Sequence, residues 1–253
     1  MKIALVYGGQ PRFTYDFIDL MKRLKGFDSA DIYMVLWKSD WAETTERAVQ
    51  RIQKVLLPGF SIGKIAVMDE PPCEYPPGGE KLAPPAPENA AWWYSRMYKH
   101  ALGIAWAFDL IEQQYDVVIR FRGDGSVDRE LDVSKLGLEK TPLLFPNNAG
   151  SGFPDYKLND QLVIGTQEMM KFYCEKGKHF KELIPKSDPN WNISDTINGA
   201  TWTWCTEHVI GYYLKNSNTP LNYGDFGVVL NSYGRSRFTD KHYHHGVAQD
   251  PTE

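Results

Sequence analysis

The sequence predicts an α/β fold, a mainly parallel central sheet flanked by helices. Three observations carry that expectation. The run Ile3–Tyr7 is apolar without a break, as a central strand buried on both faces must be. Strand-like and helix-like stretches then alternate through the first 68 residues, which calls for parallel strands joined by right-handed crossovers. Further on, Tyr115–Asp128 (YDVVIRFRGDGSVD) begins as another short apolar strand and ends in arginines, glycines and acids.

Each element has its own warrant. After Ile3–Tyr7 comes a loop, Gly8-Gly9-Gln10-Pro11-Arg12, and then a helix over Phe13–Leu24 with Phe13, Phe17, Leu20, Met21 and Leu24 on one stripe. A glycine turn between strand and helix lets the backbone approach an anion, and the helix N-terminus favours one. The same glycines also suffice merely to close a tight turn. Asp31–Trp37 reads as the second strand, Asp40–Leu56 as the second helix, and Ile65–Met68 as the third strand, within Phe60–Met68. Glu70–Glu88 is proline-rich and holds the pair Gly78-Gly79, so it reads as an exposed excursion with no regular element.

The longest helical signal is Asn89–Gln114, where Trp93, Met97, Ala101, Ile104, Ala105, Phe108 and Ile111 recur every three or four residues. Its first half adds Trp92, Tyr94, Arg96, Tyr98 and His100, read as core and rim, with a ring of the first turn also suited to stacking on a base or sugar. The strand of Val117, Val118 and Ile119 follows. Beyond it come a strand at Leu143–Phe145, a loop rich in glycine, proline and asparagine, a strand at Gln161–Ile164 and a helix at Gln167–Glu175. Lys186–Ala200 reads as irregular, Thr203–Lys215 as a helix and Gly227–Leu230 as a strand, before a tail with His242, His244 and His245.

Composition narrows the function classes. The 253 residues carry 28 basic and 32 acidic side chains, a formal net charge of -4, which argues against gripping long nucleic acid through its phosphates. Three cysteines, Cys73, Cys174 and Cys205, are too scattered for a disulfide framework or a zinc motif and fit a reducing, cytoplasmic setting. The opening MKIALVYGGQPR is a strand rather than a signal peptide, and no stretch has the length to span a membrane.

The centre of interest is the end of the Tyr115–Asp128 stretch. Arg120 and Arg122, two apart, share one face of the strand while Phe121 takes the other. The turn Gly123-Asp124-Gly125 sets a carboxylate beyond the strand's C-terminal end, where open α/β sheets hold their ligands. Two cations and an acid there suit a phosphate, a metal ion or both. They equally suit a buried Arg–Asp pair that only fixes the turn.

In the order of its pieces the chain resembles the GT-A-type glycosyltransferases, nucleotide-sugar-dependent enzymes on a Rossmann-like sheet. More particularly it looks like a bacterial and viral group with an SGQxR-like turn after the first strand, a YDxVIRxRxD segment, an NDQxxxG segment and a late glutamate on a helix. Here these read Gly8-Gly9-Gln10-Pro11-Arg12, Tyr115–Asp124, Asn159-Asp160-Gln161 with Gly165, and Glu207. The likeness runs from Met1 to about Leu214.

The resemblance implies one GT-A-like domain over residues 1–253, with 1–125 as the nucleotide-binding half and 126–253 as the acceptor-side half. It implies that Gly8, Gly9, Gln10 and Arg12 bind the nucleotide, with Arg120 and Arg122 beside the diphosphate. Asp124 would hold Mn²⁺ or Mg²⁺, with one of His242, His244 and His245, most simply His244, as an extra ligand. Asp160 or Glu207 would act as the base or orient the acceptor. The donor would be a nucleoside-diphosphate sugar and the acceptor a glycan or other hydroxyl compound. The chain departs from the pattern at one point: Arg122 stands where the family motif has its first aspartate. Charge on the departing diphosphate is then met either by a metal ion on Asp124 or by Arg12, Arg120 and Arg122 themselves.

A reading from another class is a non-catalytic nucleotide- or glycan-binding protein on the same fold, which the missing acid favours. Asp124, Asp160 and Glu207 favour the enzyme. A nucleotidyltransferase would share the sheet, but no lysine-bearing glycine-rich loop follows the first strand.

Overall fold

A computed structural model describes residues 1–10, 15–38, 45–72, 87–122, 125–146, 161–183, 206–219, 222–224, 226 and 228–230. In chain order the elements are β1 (Lys2–Gly9), α1 (Tyr15–Arg23), β2 (Leu24–Lys25), β3 (Ser29–Trp37), α2 (Thr45–Lys54), β4 (Phe60–Met68), α3 (Pro87–Asp109) and β5 (Val117–Phe121). They continue as β6 (Gly125–Val127), β7 (Leu131–Asp132), a 3-10 turn at Val133–Lys135, β8 (Leu143–Pro146), β9 (Leu162–Gly165) and α4 (Gln167–Glu175). Last come α5 (Phe180–Leu183), α6 (Thr206–Asn216), β10 (Asn222–Gly224) and β11 (Val228–Leu230).

The result is a mixed α/β fold on a seven-stranded, mostly parallel sheet in the order β10-β8-β9-β5-β1-β3-β4. β1 pairs in parallel with β3 on one side and β5 on the other, and β3 pairs in parallel with β4. β9 is the reversed strand, antiparallel to both β5 and β8. Short paired strands, β11 with β6 and β2 with β7, lie outside this sheet.

The unbroken apolar run of β1 is explained by burial on both sides, as its sequence required: Ile3 to Val6 expose no surface. Ile3, Leu5 and Tyr7 join Phe17, Leu20 and Ile52 in the core beneath α1 and α2. Ala4 and Val6 face the opposite core, with Ile104 and Phe108 of α3, Met170 and Tyr173 of α4, and Ile210 and Leu214 of α6. Each face buries a helix stripe, and that area supplies the main favourable term in folding.

The boundaries differ from the sequence reading in instructive places. Gly8 and Gly9 are not yet loop: β1 keeps pairing with β3 as far as Gly9 opposite Leu36. Gly8 is fixed by packing, because a Cβ there would lie 2.0 Å from the carbonyl carbon of Gly103 in α3. β4 runs from Phe60, not Ile65. Gly63, which interrupts its apolar pattern, lies where a Cβ would meet the Tyr33 ring at 2.6 Å. α1 begins at Tyr15 within the described residues, and α3 stops at Asp109, five residues before Gln114.

The amino ends of β3, β4 and β5 are tied by polar groups. The Tyr115 hydroxyl donates to Asp31 Oδ2 at 2.7 Å and lies 2.7 Å from the Tyr33 hydroxyl. The Gln113 amide donates to the same Asp31 oxygen at 3.0 Å, and the Ser61 hydroxyl donates to Asp31 Oδ1. Burial pushes the Tyr115 phenol well above its ordinary pKa, and the bonds with Tyr33 and Asp31 push the same way. Among the described residues, no helix is long and apolar enough to cross a membrane.

Candidate functional site

The site follows from where the strand order turns. β3 and β4 extend the sheet to one side of β1, and β5 lies on the other, reached through α3 on the opposite face. The β1–β5 ladder ends at Val6 opposite Arg120. Beyond that pair the two strands follow different neighbours. β1 goes on with β3 to Gly9, while β5 goes on with β9 to Phe121 opposite Leu162, and the Arg122 N–H then donates to the Gln161 carbonyl at 3.1 Å. The carboxyl ends of β1 and β5 thus part at the topological switch point of the sheet, and this parting is the crevice.

Gly9 forms one wall. Its φ of +137° belongs to the region that side chains rarely adopt, and a Cβ built on it meets nothing within 4 Å. Among the described residues, nothing covers the backbone on that flank of Gly9. The next residue is pinned twice: the Tyr7 hydroxyl donates to the Gln10 carbonyl, and the Gln10 side-chain amide donates to Glu70 Oε1. Glu70 Oε2 in turn accepts from Lys99 Nζ of α3 at 2.5 Å.

The two faces under the crevice differ in chemistry. Toward α1, Phe121 stacks on Phe17 with centroids 5.1 Å apart and lies 5.5 Å from the Tyr7 ring. Toward α3 sits Arg120, with no exposed surface. Its Nη2 meets Nε2 of His100. A guanidinium only donates, so this bond requires a lone pair on Nε2 and the ring proton on Nδ1. Cys174 of α4 lies in the same environment. Burial drives its thiol far up, with Arg120 opposing, so it is no thiolate nucleophile.

The site residues expected from sequence separate into three groups. Gly8, Gly9, Gln10, Arg120 and Arg122 are brought together at the crevice, though in distinct roles. Gly8 closes against α3 rather than standing open, Arg120 is sealed inside, and Arg122 is half-buried at the mouth. Glu207 lies in the first turn of α6. Arg12, Asp124, Asp160 and His244, together with His242 and His245, lie outside the described residues. Among the described residues, no three His, Cys, Asp or Glu side chains converge as a metal site.

The sequence assigns no site role to Glu70, Lys99 or His100. Nothing in their spacing marks them: Glu70 opens the proline-rich stretch, and the other two sit on a helix read as core and rim. Only the return of α3 over the end of β1 brings them to Gln10 and Arg120. No protein-family model matches the chain, and no curated protein matches it.

Proposed function

We propose that the chain is a glycosyltransferase of the GT-A type, moving a sugar from a nucleoside-diphosphate sugar to a hydroxyl acceptor. The observation that carries this reading is the parting of β1 and β5 beyond Val6 and Arg120, with Gly9 bare on one side and Arg122 on the other. Ligands of open α/β sheets sit at this place, and a guanidinium there complements a diphosphate.

In this proposal Arg122, with Arg12, meets the negative charge that grows on the departing nucleoside diphosphate. Arg120, buried two residues deeper along the strand, adds its field from within. Asp124 and His244 would hold Mn²⁺ or Mg²⁺, which supplies further counter-charge when bound. Asp160 or Glu207 would take the proton of the acceptor hydroxyl. The free, buried Cys174 fits the accompanying proposal of a reducing, cytoplasmic setting.

The arginine at position 122, in place of the first acid of the resembled motif, favours a second reading, a nucleotide- or glycan-binding protein without turnover. One assay separates them. Release of nucleoside diphosphate is followed over a panel of nucleotide sugars and hydroxyl acceptors, with Mn²⁺, for the wild type and Asp124→Ala. Turnover that disappears in Asp124→Ala supports the transferase. Glycan retention by both proteins with turnover by neither supports the binding protein.

A further inference from the structure

Between Tyr7 and Lys99 runs a continuous chain of hydrogen bonds that crosses three elements. The Tyr7 hydroxyl holds the Gln10 carbonyl at 2.5 Å, the Gln10 amide holds Glu70, and Glu70 holds Lys99 Nζ at 2.5 Å. Glu70 follows β4, two strands away from β1, so its side chain must reach back over the end of β3 to meet Gln10. The Glu70–Lys99 pair is not an ordinary surface bridge: the side chains are only 31% and 22% exposed. Partial removal from water strengthens the attraction and limits the screening that makes exposed pairs weak.

The chain of bonds has a consequence for Gly9. Gly9, at φ +137°, has no side chain to fix it, and among the described residues nothing packs on that flank. Its geometry is set by its neighbours, and Gln10 is the neighbour held at both backbone and side chain. The Gln10 amide is turned to Glu70 and its carbonyl to Tyr7, which ties the backbone beside Gly9.

We propose that Glu70 is a positioning residue of the crevice: acting through Gln10, it holds the Gly9–Gln10 backbone in the form that receives the ligand. This rests on the reading that the crevice takes a nucleoside diphosphate. Glu70 itself does not touch the ligand in this account. An apolar residue of similar size releases both bonds, whereas glutamine keeps an acceptor for the Gln10 amide and loses the ion pair.

The test compares wild type, Glu70→Met, Glu70→Gln, Gln10→Met and the double methionine variant. Two readouts are taken: backbone amide exchange at residues 8–10, with the interior amides of β3 as reference, and the Kd for UDP, GDP and ADP with Mn²⁺. In Glu70→Met, exchange at residues 8–10 should rise about tenfold while β3 stays protected, the signature of local opening. Glu70→Gln should restore most of that protection. The Kd of the nucleotide that binds should weaken about tenfold, the scale of a lost bond to a charged group. The double variant should be no worse than either single one, since both act through the same bond.

Unchanged exchange at residues 8–10, or exchange that rises equally in β3, overturns the proposal whatever the nucleotides do. Local opening with an unchanged Kd, or additive effects in the double variant, overturns it too. Local opening in a protein whose wild type binds none of the three nucleotides leaves the clasp standing and overturns the nucleotide reading instead.

Discussion

Gly8 of β1 and Gly103 of α3 meet backbone to backbone: a Cβ on Gly8 would lie 2.0 Å from the Gly103 carbonyl carbon and 2.3 Å from the Ile104 nitrogen. This close approach seats the C-terminal half of α3 directly on the end of β1, and so brings Lys99 and His100 within reach of the crevice. A Cβ on Gly103 is less crowded, meeting Trp37 at 3.0 Å and Gly8 at 3.1 Å.

Gly8→Ala should therefore be the costlier change of the two. The atoms in its way are backbone and cannot rotate aside, so β1 and α3 must separate, at a cost of about 3 kcal/mol. Gly103→Ala requires shifts of a few tenths of an ångström and should cost about 1 kcal/mol. Urea unfolding of both variants checks the order, and equal midpoints would contradict it.

Arg120 and Arg122 should separate by what they damage. Arg120 has no exposed surface and bonds His100, so Arg120→Ala empties a buried site and should cost about 3 kcal/mol of stability. Arg122 is half-buried at the mouth, and Arg122→Ala should cost about 1 kcal/mol of stability or less. Its loss should fall on nucleotide affinity, by about tenfold for one charged phosphate contact. Thermal unfolding and calorimetric titration of the pair read both effects.

The Tyr115 phenol gives a prediction in alkali. Its folded pKa lies above the unfolded value of 10.0, so the folded state keeps a proton that the unfolded chain gives up. The contribution is complete below about pH 10 and is lost as pH rises beyond it. Tyr115→Phe removes a hydroxyl bonded to Asp31 and Tyr33 and should cost about 2 kcal/mol at neutral pH. Above pH 10 its stability should fall less steeply than that of the wild type, as followed by urea unfolding at each pH.

Much of this architecture can be read locally, and the rest cannot, for physical reasons. The helix at Gln167–Glu175 is found at its true bounds because Thr166 caps it, its hydroxyl accepting from the Met169 N–H. β1 and the first three residues of β5, Val117–Ile119, announce themselves because burial on both faces calls for an apolar run, which Arg120 then interrupts. β4 is half legible: its pattern is interrupted at Gly63, whose reason is the Tyr33 ring on the neighbouring strand. The reversal of β9 and the pairing of β11 with β6 rest on partners distant in sequence and leave no local mark.

The candidate site divides the same way. The Gly8-Gly9 pair and the Arg120–Arg122 pair stand out because their types and spacing are unusual at strand ends. That one arginine is buried beside His100 while the other stands at the mouth depends on how α3 returns across the sheet. Glu70 is invisible in the sequence for a similar reason, since an acid at the edge of a proline-rich stretch looks like any solvated charge.

The most direct measurement is a thermal-shift panel of nucleoside diphosphates and nucleotide sugars, with Mn²⁺ and with chelator. A ligand at about 100 times its Kd stabilises by about 2.7 kcal/mol, on the order of 5–10 °C for a chain of this size. The account predicts such a shift with one nucleoside diphosphate and its loss in Arg122→Ala. No shift with any nucleotide, or a shift that Arg122→Ala leaves untouched, would contradict it.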